Sequence, residues 1–256
     1  MTLPAARLPA DWAPAPDSLS DRVILVTGAY GGLGSAVSRA ASRAGATVVI
    51  AGKRKRQLEQ LYDAMLAEGL SEPVIHPLDL ETATPRDYEA LADGLARDFG
   101  RLDGIVHAAA SFTGLTPMAM HKPDDWLRAM LVNVSAPFAL TQACMPLLTQ
   151  AADSAVVLVL DSPELMARAH WGAYGVSKAA LERFVAILHQ ETDASPLRVH
   201  ALLPAPMRTA LRRQAYFGED IMLRPLPDAA AAAVIYLLGA PASDARGAML
   251  DLRSAA

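Results

Sequence analysis

The sequence predicts an α/β protein, a single doubly wound parallel sheet with helices on both faces. Three observations predict it. Short apolar runs alternate with amphipathic segments from Asp21 onward, the pattern of a parallel sheet crossed by helices. A glycine-rich turn stands directly after the first run and opens the first helix. No internal repeat or linker interrupts the 256 residues, a length that one large α/β domain can fill.

Taken in order, residues 23–26 (V-I-L-V) form the first strand by their β-branched content. A helix follows over 33–43, then the second strand over 47–50. Leu58, Leu61, Tyr62, Met65 and Leu66 recur at helical spacing. Residues 74–75 make the third strand and 105–106 the fourth. A long helix is expected over about 124–149, with a break before it at Pro123. The most apolar strand, 155–160, precedes a helix over 171–190 and a strand over 199–203. A helix over 229–238 and a weak strand over 249–250 come last. Segment 206–227 carries Arg212, Arg213, Tyr216 and Phe217 past the end of a strand and reads as a lid. Residues 1–20 are rich in Pro and Ala, with Trp12 the only aromatic. They are expected to form a surface arm that tolerates trimming, leaving 21–256 as the domain.

Composition narrows the function classes. A net charge of −4 offers no basic footprint for nucleic acid. The single cysteine, Cys144, excludes an intrachain disulfide and suits a reducing cytoplasm. No apolar run is expected to reach the ~18 residues of a membrane span, and the N-terminus lacks the basic-then-apolar layout of a signal peptide. The six histidines show no metal-ligand spacing, so no metal is expected. A small-molecule substrate and a cytoplasmic location are the expectation.

Residues 27–34 read T-G-A-Y-G-G-L-G. Gly28, Gly32 and Gly34 let the backbone pass tightly and let a pyrophosphate reach the free N–H groups of a helix N-terminus. Together with Tyr30 and Leu33 they are the candidate dinucleotide turn of a Rossmann-type sheet. The second strand ends in Gly52-Lys53-Arg54-Lys55-Arg56, with no acid to hold a ribose 2′-hydroxyl. Cations at a helix start oppose its dipole, and a bound 2′-phosphate would explain Lys53 and Arg54. NADP(H) is therefore the expected cofactor. Asp79, followed by Leu80, is placed after the third strand either to accept from the adenine amino group or to serve as a turn aspartate.

Tyr174 and Lys178 are four apart at the start of a helix and share a face. An ammonium beside a phenol, with an oxidised nicotinamide nearby, favours phenolate, so Tyr174 can give or take a proton while hydride moves. With the turn at 27–34, this pair makes the chain from about Asp21 resemble the short-chain dehydrogenase/reductase family. Stretches such as R-L-D-G-I-V-H at 101–107 and W-G-A-Y-G-V-S-K at 171–178 resemble its bacterial YciK-like branch. The resemblance implies an adenine contact at Asp79 and a cofactor contact at Ala108. It also implies a water-holding helix asparagine at Asn133, the catalytic pair at Tyr174 and Lys178, and a cofactor loop with Pro204 and Thr209. Dimers or tetramers formed through the two long helices are implied as well. The departures are His107-Ala108-Ala109-Ala110 for Asn-Asn-Ala-Gly, Pro204-Ala205 for Pro-Gly, and Asp161 for the substrate-orienting serine thirteen residues before the tyrosine.

An ionised carboxylate cannot donate to a substrate carbonyl and opposes a phenolate beside it. Three readings follow. Ser162 swings into the slot, the site is silent and the chain only binds NADP(H) as a sensor or partner module, or the substrate wants an acid. Pteridine reductases and bacterial dihydromonapterin reductases resemble this chain in having Asp, Tyr and Lys at this spacing. They also carry an aromatic after the fourth strand, here Phe112, but place an arginine where this chain has Gly32. The expected activity is hydride transfer from NADPH to a small carbonyl or a pterin- or imine-like C=N bond. Tyr174, Lys178, Asn133 and Asp161 carry the chemistry, and Phe112, Ser162 and His170 line the substrate pocket. His107 either touches the nicotinamide ribose or fills space.

Overall fold

The structure is a computed structural model, and it describes residues 3–9, 11–239, 242 and 245–253. Eight parallel strands form one sheet: β1 (Ala5–Ala6), β2 (Val23–Thr27), β3 (Thr47–Gly52), β4 (Val74–Pro77), β5 (Gly104–His107), β6 (Ser154–Val159), β7 (Leu197–Leu203) and β8 (Met249–Asp251). Their order is β1-β8-β7-β6-β5-β2-β3-β4. The main helices are α1 (Gly32–Arg43), α2 (Lys55–Ala67), α3 (Pro85–Phe99), α4 (Pro123–Met130), α5 (Ala136–Gln150), α6 (Pro163–Met166), α7 (Gly172–Thr192), α8 (Ala210–Ala215) and α9 (Asp228–Leu238).

Period-two burial divides the core into two layers. Ile24 and Val26 of β2, Val48 and Ile50 of β3, and Ala155 and Val157 of β6 face one layer with α1, α2 and α9. Val23 and Leu25, Val49 and Ala51, and Val156 and Leu158 face the other, with α3, α5 and α7. Both faces of the central strands β2, β5, β6 and β7 are buried, which is why they read as continuous apolar runs rather than alternating ones. The strand order reverses between β2 and β5. In such a sheet the crevice at the C-terminal ends of those strands is where ligands bind.

Four features differ from the sequence expectation. Helix α3 occupies a stretch assigned to no element, and its start is a capping box in which Thr84 and Asp87 satisfy each other's backbone, with Pro85 in the first turn. The long helix begins at Pro123 rather than after a break there, and a π-helical turn, Leu131–Ser135, is inserted within it. This Pro123–Gln150 helix is, by length and composition, apolar enough to span a membrane, contrary to the sequence reading. Its burial explains the composition, since Ala136, Pro137, Leu140, Cys144, Leu147 and Leu148 pack into the core.

The N-terminal arm also differs. Ala5 and Ala6 pair with Met249 and Leu250, Leu3 is buried, and the Trp12 ring meets Tyr236 of α9 edge-on with centroids 5.3 Å apart. The arm is thus part of the packed unit, and it covers the outer edge of β8. Deleting residues 1–12 should cost about 2–4 kcal/mol through lost apolar burial and ring contact, and lower Tm by about 5 °C or more. The uncovered edge should also promote self-association. Thermal melts with light scattering test this; an unchanged Tm would return the arm to a dispensable tail.

Candidate active site

A cleft of about 490 Å³ opens along the C-terminal ends of the strands, from Lys53 and Asp79 at one end to Tyr174, Arg212 and Tyr216 at the other. Its floor at the first end is the glycine turn between β2 and α1. A Cβ on Gly28 would lie 2.7 Å from Ala109 Cα, and Gly28 has a φ of +64° that favours glycine. A Cβ on Gly34 would lie 2.2 Å from the Gly28 carbonyl oxygen. Helix α1 has no side-chain cap and no acid in its first turn, so its N-terminus faces the cleft without a competing anion. These residues fit a pyrophosphate.

Gly28, Tyr30, Gly32, Leu33, Gly34, Lys53, Asp79, Leu80, Ala108, Pro204 and Thr209 all line the cleft. Asp79 also has the turn role considered from sequence, its Oδ1 accepting from the Glu81 N–H at 3.0 Å. Thr209 caps α8 by accepting from the Arg212 N–H, and its methyl group packs over Gly32. Arg54, by contrast, is exposed and outside the cleft wall. Lys53 is paired with Glu81 at 2.6 Å, and Arg128 approaches the same carboxylate at 3.6 Å.

At the other end β6 delivers Asp161, and the first turns of α7 deliver Tyr174 and Lys178. The Tyr174 hydroxyl donates to Asp161 Oδ2 at 3.0 Å, and the Ser162 N–H donates to Oδ1 at 2.8 Å. Burial, then the Asp161 charge, hold the Tyr174 phenol well above its ordinary acidity range, so it is neutral near pH 7. The Lys178 ammonium donates to the Val159 carbonyl at 2.7 Å and lies 5.5 Å from the centre of the Tyr174 ring. Burial brings its pKa down to about 8.

Asn133 is buried on the π-helical turn and does not line the cleft. Its amide accepts from the Ser111 N–H at 2.7 Å, donates to the Ser111 carbonyl at 3.0 Å, and donates to Ser177 Oγ at 2.9 Å. It braces the loop after β5 against α7. Phe112 lines the cleft at 5.2 Å from Tyr174 and 5.6 Å from Trp171, centroid to centroid.

Two expected residues stand differently, and the open choice for a third is decided. The Ser162 hydroxyl does not swing toward Tyr174, although the residue lines the cleft. It donates to Glu164, accepts from the Leu165 N–H and accepts from Arg253, because Ser162 is the N-cap of α6. His170 is exposed outside the cleft wall, in a left-handed turn with φ 76°. His107 fills space. It is buried, bonded to Thr141 Oγ1 at 2.9 Å and held neutral, with a pKa near 3. Residues that the sequence reading did not assign to the site include Glu81, Trp171, Tyr216 and Arg253. Tyr216 stands in the segment read as a lid, Trp171 and Glu81 stand next to assigned residues, and Arg253 carries no local signal.

Known proteins share the fold and much of the sequence. Residues 22–219 match the short chain dehydrogenase family. The oxidoreductase YciK of Escherichia coli (strain K12) is 38% identical over 209 residues, 82% of each chain. The crystallised oxidoreductase yciK from E. coli superimposes with a TM-score of 0.89 at 35% identity, over 94% of this chain and 98% of that one. A short chain dehydrogenase from Escherichia coli CFT073, complexed with NADPH, gives a TM-score of 0.89 at 36% identity, over 93% of this chain and 99% of that one. On fold, cleft and sequence together, this chain belongs to the short chain dehydrogenase family of oxidoreductases.

Proposed function

We propose that the protein is an NADPH-dependent reductase that delivers hydride to a small acceptor, preferentially a C=N bond in a flat, pterin- or imine-like ring. The observation that carries this reading is the 3.0 Å hydrogen bond from Tyr174 to Asp161. When bound, NADPH supplies the hydride. The glycine turn and the α1 N-terminus hold its pyrophosphate, Lys53 its 2′-phosphate, Asp79 and Leu80 its adenine, and Ala108, Pro204 and Thr209 its nicotinamide half. Tyr174 gives its proton to the acceptor nitrogen, and Lys178 stabilises the phenolate left behind. Asp161 accepts a hydrogen bond from an N–H of the ring, which needs the carboxylate that a ketone would not. Asn133 keeps the loop bearing Phe112 in place, so that the ring is sandwiched.

NADPH oxidation with 7,8-dihydropterin, a cyclic imine and cyclohexanone tests the reading. Tight NADPH binding with no turnover of any acceptor would instead favour a silent NADP(H)-binding protein. Cofactor choice is tested separately by titration. NADPH should bind at least about tenfold tighter than NADH, worth about 1.4 kcal/mol. Lys53→Ala should remove most of that gap and Arg54→Ala little, because only Lys53 lines the cleft. Glu81→Gln, which frees Lys53, should widen it. Equal affinity of the parent for both cofactors would refute the 2′-phosphate assignment.

We also propose a cytoplasmic homodimer or homotetramer. Leu127, Leu131, Phe138, Val176 and Ile187 are large apolar side chains exposed on the α4–α5 helix and α7, and association would cover them. A monomer in sedimentation equilibrium would exclude it.

A further inference from the structure

Asp161 leaves the site without the hydroxyl that would hold the acceptor group, and Ser162 is committed to capping α6. We propose that Tyr216, reaching in from the lid, is the substrate-orienting donor, its hydroxyl bonding the acceptor or an adjacent carbonyl while Tyr174 gives the proton. This rests on the reductase reading above.

Tyr216 lines the same cleft as Asp161 and Tyr174. Its ring lies 6.0 Å from Trp171, which lies 5.9 Å from Tyr174 and 5.6 Å from Phe112. The lid phenol is therefore a wall of the same aromatic box that holds the proton donor. The position is built rather than incidental. The Arg212 guanidinium lies 4.3 Å from the Tyr216 ring centre, a cation–π contact. Arg212 is locked by Glu219, which accepts its Nε at 2.6 Å and its Nη2 at 2.9 Å and also binds Arg224. Arg208 ties the same segment together, donating to the Arg224 carbonyl at 3.2 Å and the Met222 carbonyl at 2.8 Å.

With its ring fixed from both sides, the Tyr216 hydroxyl makes no hydrogen bond with any described residue, whereas the Tyr174 hydroxyl is already given to Asp161. Burial is the main influence that raises the Tyr216 pKa, with Arg212 acting against it and the Asp161 charge adding to it. The group is a neutral donor at ordinary pH, which an ionised carboxylate cannot be. Ser111 also stands on the cleft wall, but on the loop that Asn133 holds rather than in the aromatic box.

The test compares wild type with Tyr216→Phe, Tyr216→Leu and Ser111→Ala. Turnover is measured on the three acceptors, and binding of 6-methylpterin to protein saturated with NADP⁺ is measured by calorimetry. Tyr216→Phe keeps the ring and removes only the donor. It should lower kcat/KM, and weaken 6-methylpterin, by about tenfold, the worth of one hydrogen bond in a closed site. NADPH affinity and Tm should not change. Tyr216→Leu should add a further rise in KM, and Ser111→Ala should match wild type. If Tyr216→Phe lies within twofold of wild type in both measurements, Tyr216 is only a wall and the proposal is overturned. If wild type turns over nothing, the reductase reading fails by itself. Calorimetry then decides the Tyr216 contact: a tenfold loss sustains it, and equal binding or none overturns it.

Discussion

Tyr174→Phe is expected to lower NADPH oxidation by about 10²–10⁴-fold, the usual worth of a positioned general acid, while NADPH affinity stays nearly unchanged. The substitution removes one oxygen. The ring contacts to Phe112 and Trp171 remain, so the cleft keeps its shape and the loss falls on kcat rather than on binding. Removing the hydroxyl also leaves Asp161 with the Ser162 N–H as its remaining bond in this network, so the carboxylate can still meet a ring N–H. The pH profile adds a second readout. Lys178 has its pKa lowered by burial to about 8, so it is charged below that pH and loses its proton above it. In wild type, kcat/KM should therefore fall on the basic side of about pH 8, as the cation that supports proton transfer disappears. A variant that keeps most of its activity would mean that Tyr174 is not the acid.

The parts of this site that sequence made legible are those fixed by local geometry. Gly28 must pass under Ala109 and Gly34 over the Gly28 carbonyl, and a side chain at either position would clash with backbone. Tyr174 and Lys178 share a helix face whatever the rest of the chain does. The π-helical turn at Leu131–Ser135 left no mark, because only the packed neighbours decide the extra residue per turn. Helix α3 was legible and was missed: Thr84, Pro85 and Asp87 spell its start. The arm was not legible, since a two-residue strand has no period and its partner, β8, lies at the other end of the chain. The lid segment 206–227 was legible and brings Arg212 and Tyr216 to the cleft, whereas Arg253 reaches it from a segment brought there only by the tertiary fold. Ser162 shows a conflict between local and distant demand, in which the vacancy at α6 claimed its hydroxyl before the active site could.

Asp161→Ser is the second large effect, and its sign depends on the substrate. In the parent, a phenolate at Tyr174 would face a carboxylate 3.0 Å away. At an effective dielectric of ~20, that repulsion is about 5 kcal/mol. A neutral ketone offers nothing to offset it, because its oxygen needs a donor and Asp161 supplies none. A flat ring with a C=N bond and a neighbouring N–H offers the missing partner: its N–H, or its protonated nitrogen, binds the carboxylate by a charge-assisted bond. Serine at 161 restores a hydroxyl donor and removes the repulsion. Turnover of 7,8-dihydropterin and of the cyclic imine should fall by about 10-fold or more, while any weak activity on cyclohexanone should rise or hold. The Tyr174 phenol should become more acidic, read as a lower pH for its ultraviolet ionisation, since the carboxylate contributes to holding it neutral. Phe112→Ala beside it should raise KM for the flat acceptors, with ring stacking worth about 0.5–1.5 kcal/mol. A parent enzyme that prefers the ketone, together with an Asp161→Ser variant that loses it, would show that the carboxylate serves a carbonyl after all.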